Sequence, residues 1–116
     1  MNEELSKKAM YFAGTCLKCS EMAPNRDLAH RYHKIQKRIV QFAEVITHEP
    51  YPVLLIGRYL CGIASDIEGV QERFTQISEP TLLLTEFNEE FNAAWETLHQ
   101  LLVDPAIVAP GYAGLH

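Results

Sequence analysis

Apolar residues recur at alternating steps of three and four along most of the chain. Leu5, Ala9, Phe12, Cys16 and Cys19 form a first series, and Leu28, Tyr32, Ile35, Ile39, Phe42 and Ile46 a second. Val53, Ile56, Leu60, Ile63, Ile67, Val70, Phe74 and Ile77 form a third, and Leu84, Phe87, Phe91, Ala94, Leu98 and Leu101 a fourth. That spacing puts each series on one stripe of a helix, so four amphipathic α-helices are predicted. The breaks agree. Pro24-Asn25 closes the first helix and Asn25 can cap the second, while Pro52 suits a first helical position. Ser78-Glu79-Pro80 ends the third, because a residue before proline avoids helical angles, and Asp104-Pro105 ends the fourth. The helices are therefore expected at about 3–22, 26–48, 52–78 and 80–103.

Connections of a few residues make successive helices antiparallel. The expected fold is all-α: an antiparallel up-down-up-down four-helix bundle over residues 1–104, followed by an extended apolar C-terminal tail over 105–116. Phe87, Phe91 and Trp95 are expected to be major core contributors on the fourth helix. Proline and glycine in the tail, PAIVAPGYAGLH, forbid a helix of any length, yet Ile107, Val108, Tyr112 and Leu115 are too apolar to leave in water. The tail is expected to lie along its own bundle or in a partner's groove.

Helix 3 carries more apolar surface than one core requires. Leu54, Leu55 and Tyr59 fall off its main stripe, and Arg58 is the only charge between Val53 and Ala64. A helix apolar nearly all round is buried nearly all round. Gly57, Cys61 and Ala64 line one flank with small residues, which would let another backbone come close. Self-association, with a homodimer favoured, is therefore expected, with Leu54, Leu55, Gly57, Arg58, Tyr59, Cys61, Ile107, Val108 and Tyr112 at the interface.

Charge sharpens this picture. The formal net charge is −5, which argues against a nucleic-acid partner. Arg26, Arg31, Lys34, Lys37 and Arg38 crowd the start of helix 2, where cations oppose the helix dipole and need partners. Seven acids lie between Asp66 and Glu90, on the elements an up-down bundle brings to the same end, so the basic run is expected to pair across helices. The start MNEELSKK carries acids ahead of any apolar run and is not expected to act as a signal peptide, and no apolar stretch of the sequence is long enough to span a bilayer. Three cysteines in 116 residues do not make a disulfide framework, so a cytoplasmic location is expected.

Few residues carry candidate chemistry. Cys16 and Cys19 form a CxxC, which would suit a thiol-redox or metal-binding role. Reactive CxxC pairs sit at helix N-termini, however, and here about three turns of helix precede Cys16. A zinc site would need two more ligands, and both cysteines fall on the core stripe, where cysteine acts as a small hydrophobe. Glu96 and His99 supply a single Glu-x-x-His, where a carboxylate-bridged di-iron bundle needs two. Glu89-Glu90 has Ala93 where a magnesium-binding Glu-Glu-x-x-Glu needs its third acid. No cofactor or metal is expected. The stretch NRDLAHRYH resembles the motif of the HEPN-domain ribonucleases, small helical bundles in which an arginine precedes a histidine by a few residues on one helix. The resemblance covers these nine residues. It implies a metal-independent ribonuclease in which Arg26 binds the scissile phosphate and His33 acts as general acid or base. With no other catalytic set complete, the leading expectation is a non-enzymatic, self-associating module that binds a partner protein or a small apolar ligand.

Overall fold

The computed structural model of the chain describes the backbone of residues 2–47 and 53–103 and the side chains of 3–47 and 56–101. Four helices follow one another: α1 (Asn2–Met22), α2 (Arg26–Ile46), α3 (Val53–Thr75) and α4 (Leu82–Val103). α1 packs on both α2 and α4, and α2 packs on α3. The pairings run antiparallel. Asp27 at the start of α2 meets Arg73 at the end of α3, and Lys18 near the end of α1 meets Glu90 in the first half of α4. The fold is thus the all-α antiparallel bundle that the apolar stripes predict. The expected tail, 105–116, lies outside the described residues, as do the side chains of Leu54 and Leu55.

Local signals set the helix ends. Asn25 caps α2, its side-chain oxygen accepting from the Leu28 amide at 2.9 Å. α3 stops at Thr75, earlier than the expected end near 78, because the chain tightens: the Gln76 and Ile77 amides donate three residues back, to Arg73 and Phe74. α4 starts at Leu82, later than expected, because Thr81 caps it and its hydroxyl accepts from the Leu84 amide at 3.1 Å. α2 ends at Ile46, with the Thr47 hydroxyl bonded back to the Glu44 carbonyl at 2.6 Å.

All five stripe residues of α1 and all six of α2 are buried. α3 buries Ile56, Leu60, Ile63, Ile67 and Val70, and α4 buries Leu84, Phe91, Ala94 and Leu98. Of the three aromatics expected as major core contributors on α4, Phe91 is fully buried, and Phe87 and Trp95 pack half-buried against the core's margin. Aromatic rings run through the centre. Tyr32 meets Phe91 edge-on at 5.3 Å, Phe91 lies 5.2 Å from Phe12, and Phe12 lies 5.7 Å from Trp95.

A polar side-chain pair crosses this core between helices. The buried Tyr32 hydroxyl donates to Asn88 Oδ1 at 2.7 Å, joining α2 to α4. A buried donor without its acceptor costs about 1–3 kcal/mol. Asn88→Leu should therefore destabilise the fold by about that much, and adding Tyr32→Phe should recover part of the loss. Urea unfolding followed by circular dichroism measures both. Equal stability of the Asn88→Leu variant and the parent would refute the contact's role.

Candidate functional site

Along α2 and α3 a polar seam faces solvent beside the core. Asp66, half-buried on α3, takes Arg38 Nη1 at 3.1 Å and Lys34 Nζ at 3.8 Å. The Arg38 approach to Asp66 Oδ2 is not aligned as a hydrogen bond, so that pairing is ionic. Asp27 takes Arg31 at 3.2 Å within α2 and Arg73 of α3 at 3.4 Å. Of the basic run of helix 2, Lys34 and Arg38 pair across to α3, whereas Arg31 pairs with Asp27 of its own helix.

Two glycines of α3 make room for the seam. A Cβ on Gly62 would collide with Arg38 Nη1, and a Cβ on Gly69 would meet Arg31 Nη1 at 3.0 Å. Gly62, Asp66 and Gly69 step by four and three opposite Arg38, Lys34 and Arg31, so each guanidinium lies over a notch in α3. A cleft of about 170 Å³ opens beside the seam, lined by Asp27, His30, Arg31, Lys34 and Asp66. A shallower hollow of about 550 Å³ lies at the end of the bundle, between Pro24-Asn25 and Gln76-Ile77-Ser78.

Arg26 and His33 are both exposed and lie seven residues apart on α2. Of these two, neither lines the cleft, which takes His30 instead. Glu96 and His99 are exposed on α4, with the His99 ring 5.4 Å from Trp95. Among the described residues no group of three or more His, Cys, Asp or Glu is gathered as for a metal ion.

Cys16 and Cys19 are fully buried and unpaired, and Cys61 is free and exposed. Burial pushes the Cys16 thiol far above its ordinary range, reinforced by the neighbouring Cys19. Burial also pushes Cys19 up to about 12, against the Tyr32 hydroxyl, which would donate to a thiolate. Tyr32 is itself raised, first by burial and then by the cysteines beside it. Both thiols are therefore protonated and weakly nucleophilic at neutral pH.

The expected interface on α3 is described in part. Arg58 and Cys61 are exposed, and Gly57 is half-buried with open space where a side chain would start. Tyr59 is half-buried and lies edge-on to Phe42 of its own α2, with ring centroids 6.3 Å apart. Ile107, Val108 and Tyr112 lie outside the described residues, as do the side chains of Leu54 and Leu55. A second apolar surface appears on α1, where Met10, Tyr11 and Leu17 are 49%, 58% and 44% exposed. The signal for it was a second series on α1, offset from the core stripe: Lys7, Met10, Gly14, Leu17 and Glu21 also step by three and four. Leu82 and Leu83 are exposed at the start of α4. No helix among the described residues is long and apolar enough to cross a membrane.

Comparison with known proteins finds no match: no family model, no curated protein and no solved structure is similar to the chain.

Three outcomes follow from this geometry. A thiol-specific disulfide reagent at pH 8 should label Cys61 at once and reach Cys16 and Cys19 only at the rate of unfolding. Early labelling of all three would place the CxxC outside the core. Because the folded-state thiols ionise above the unfolded value of 9.0, stability should be full below pH 9 and fall as pH rises from there toward 12. Separately, Gly57→Ala should raise stability by about 0.5–1 kcal/mol, whereas Gly62→Ala should gain less or lose, because Arg38 must leave its notch. Thermal melts of the two variants decide this, and an equal gain in both would remove the notch.

Proposed function

We propose that the chain is a non-enzymatic, self-associating helical module of the cytoplasm that binds a partner protein or a small apolar ligand. One observation carries the reading: the core closes and still leaves large apolar side chains in water. Met10, Tyr11, Leu17, Met22, Leu82 and Leu83 are each at least 41% exposed. Scattered exposed apolar residues are ordinary, but a run along one helix face marks an interaction surface. The small, open flank of α3 at Gly57 and Cys61 supports a second contact surface there. The buried, protonated CxxC supports a packing role for Cys16 and Cys19 over redox work.

Native mass spectrometry of untagged protein under reducing conditions tests the reading, since it reports subunit count and retained mass together. A dimer is expected. A monomer at every concentration would overturn self-association.

A ribonuclease using Arg26 and His33 is the rival reading, supported by their shared exposed face on α2. His33→Ala separates the two. If RNA cleavage by the parent protein is lost in the variant while its fold is kept, the rival wins. No cleavage by the parent removes it.

A further inference from the structure

α1 has two faces built on the same three-and-four spacing. Leu5, Ala9, Phe12, Cys16 and Cys19 are buried. Lys7, Met10, Gly14, Leu17 and Glu21 are all exposed on the opposite side, with Tyr11 and Lys18 beside them. Gly14 lies at the middle of this outer face, and a Cβ placed there would meet nothing within 4 Å. A glycine inside a helix costs stability and here relieves no crowding within its own chain. It does leave a low point where a second helix could cross at short range.

The chemistry of the outer face is symmetric about that low point. Met10 lies four residues before Gly14 and Leu17 three after, on one flank of the face. Lys7 lies seven before and Glu21 seven after, which puts each charge about 10 Å from the centre along the axis. Neither Lys7 nor Glu21 is in an ion pair among the described residues, whereas Lys18 is held by Glu90 at 3.6 Å.

A face with that symmetry complements itself when reversed. If a second α1 crosses antiparallel at Gly14, Met10 of each copy meets Leu17 of the other, and Lys7 of each meets Glu21 of the other. A two-fold axis through Gly14 generates both sets at once, as in an isologous interface. The parallel alternative would set Lys7 against Lys7 and Glu21 against Glu21, so like charges disfavour it.

We propose that the outer face of α1 is the self-association surface, and that its occupant is the α1 of a second copy, antiparallel and crossing at Gly14. This rests on the self-association reading above and names its geometry. One helix face on each side makes a small interface, so the dimer is weak, with Kd on the order of 10 μM to 1 mM.

Sedimentation equilibrium from about 1 μM to about 1 mM tests it. Gly14→Glu should abolish the dimer while its thermal melt stays that of a folded monomer, because the site touches nothing in its own chain. Lys7→Glu and Glu21→Lys each place two like-charge contacts in the dimer and should each weaken it about tenfold. The double variant restores opposite charges at both contacts and should return to within about threefold of the parent. A parent that dimerises but ignores Gly14→Glu would put the contact elsewhere, overturning this proposal and leaving self-association standing. Loss in both single variants without rescue in the double would overturn the antiparallel arrangement. A parent that stays monomeric throughout would overturn this proposal and the self-association reading together.

Discussion

Each helix of this chain carries one apolar stripe, and no stripe can leave water without the others. That mutual burial is the constraint on which the structure depends. A lone helix of some twenty residues is marginal in water, and it is the packing of its apolar face that makes it persist. Phe12, Tyr32 and Phe91 are buried against one another from three helices, and Ile63 is buried on α3, which packs on α2. Hydrophobic contact is not directional, however, and stripes of similar width could slide past one another. Two polar devices oppose this. The Tyr32–Asn88 hydrogen bond holds α2 to α4 inside the core. The seam of Asp27, Asp66 and their cations holds α3 to α2 at its edge, with Gly62 and Gly69 giving the guanidinium groups their places.

The stripes were legible in the sequence because their period is a property of single helices. Every stripe position of α1 and α2 is buried. The ends were less legible. Pro80 drew the expected start of α4 to itself, but the cap is Thr81, one residue further on. What links distant residues was not legible at all. Tyr32 and Asn88 are 56 residues apart, and nothing local to Asn88 tells a buried partner from a solvated side chain. Gly62 and Gly69 read as helix-weakening positions until the arginines opposite them are known. The cross-helix pairing of the basic run could be anticipated in part: Lys34 and Arg38 find Asp66 on α3, while Arg31 is answered within its own helix by Asp27.

The candidate surface shows the same division. The apolar excess of α3 drew attention because it is uniform, whereas the outer series of α1 mixes charge, sulfur, glycine and leucine and has no obvious signature. It becomes visible once the core stripe of α1 is known and its opposite face is inspected. A helix whose outer face repeats the spacing of its inner one, with opposite charges balanced about an open glycine, has a second surface to cover. The buried cysteines are the converse case. A spacing suggestive of redox or metal chemistry becomes, in a closed core, two small apolar side chains with firmly held protons.

The most direct test of this account is a dilution series followed by proton–nitrogen correlation spectra of uniformly labelled protein. Residues whose amide signals move with concentration are those at the contact. Shifts are expected to gather on the outer face of α1, between Lys7 and Glu21, while the buried core residues of α3 stay still. Spectra that do not change on dilution, or shifts gathered on α3 around Gly57 and Cys61 with α1 silent, would contradict it.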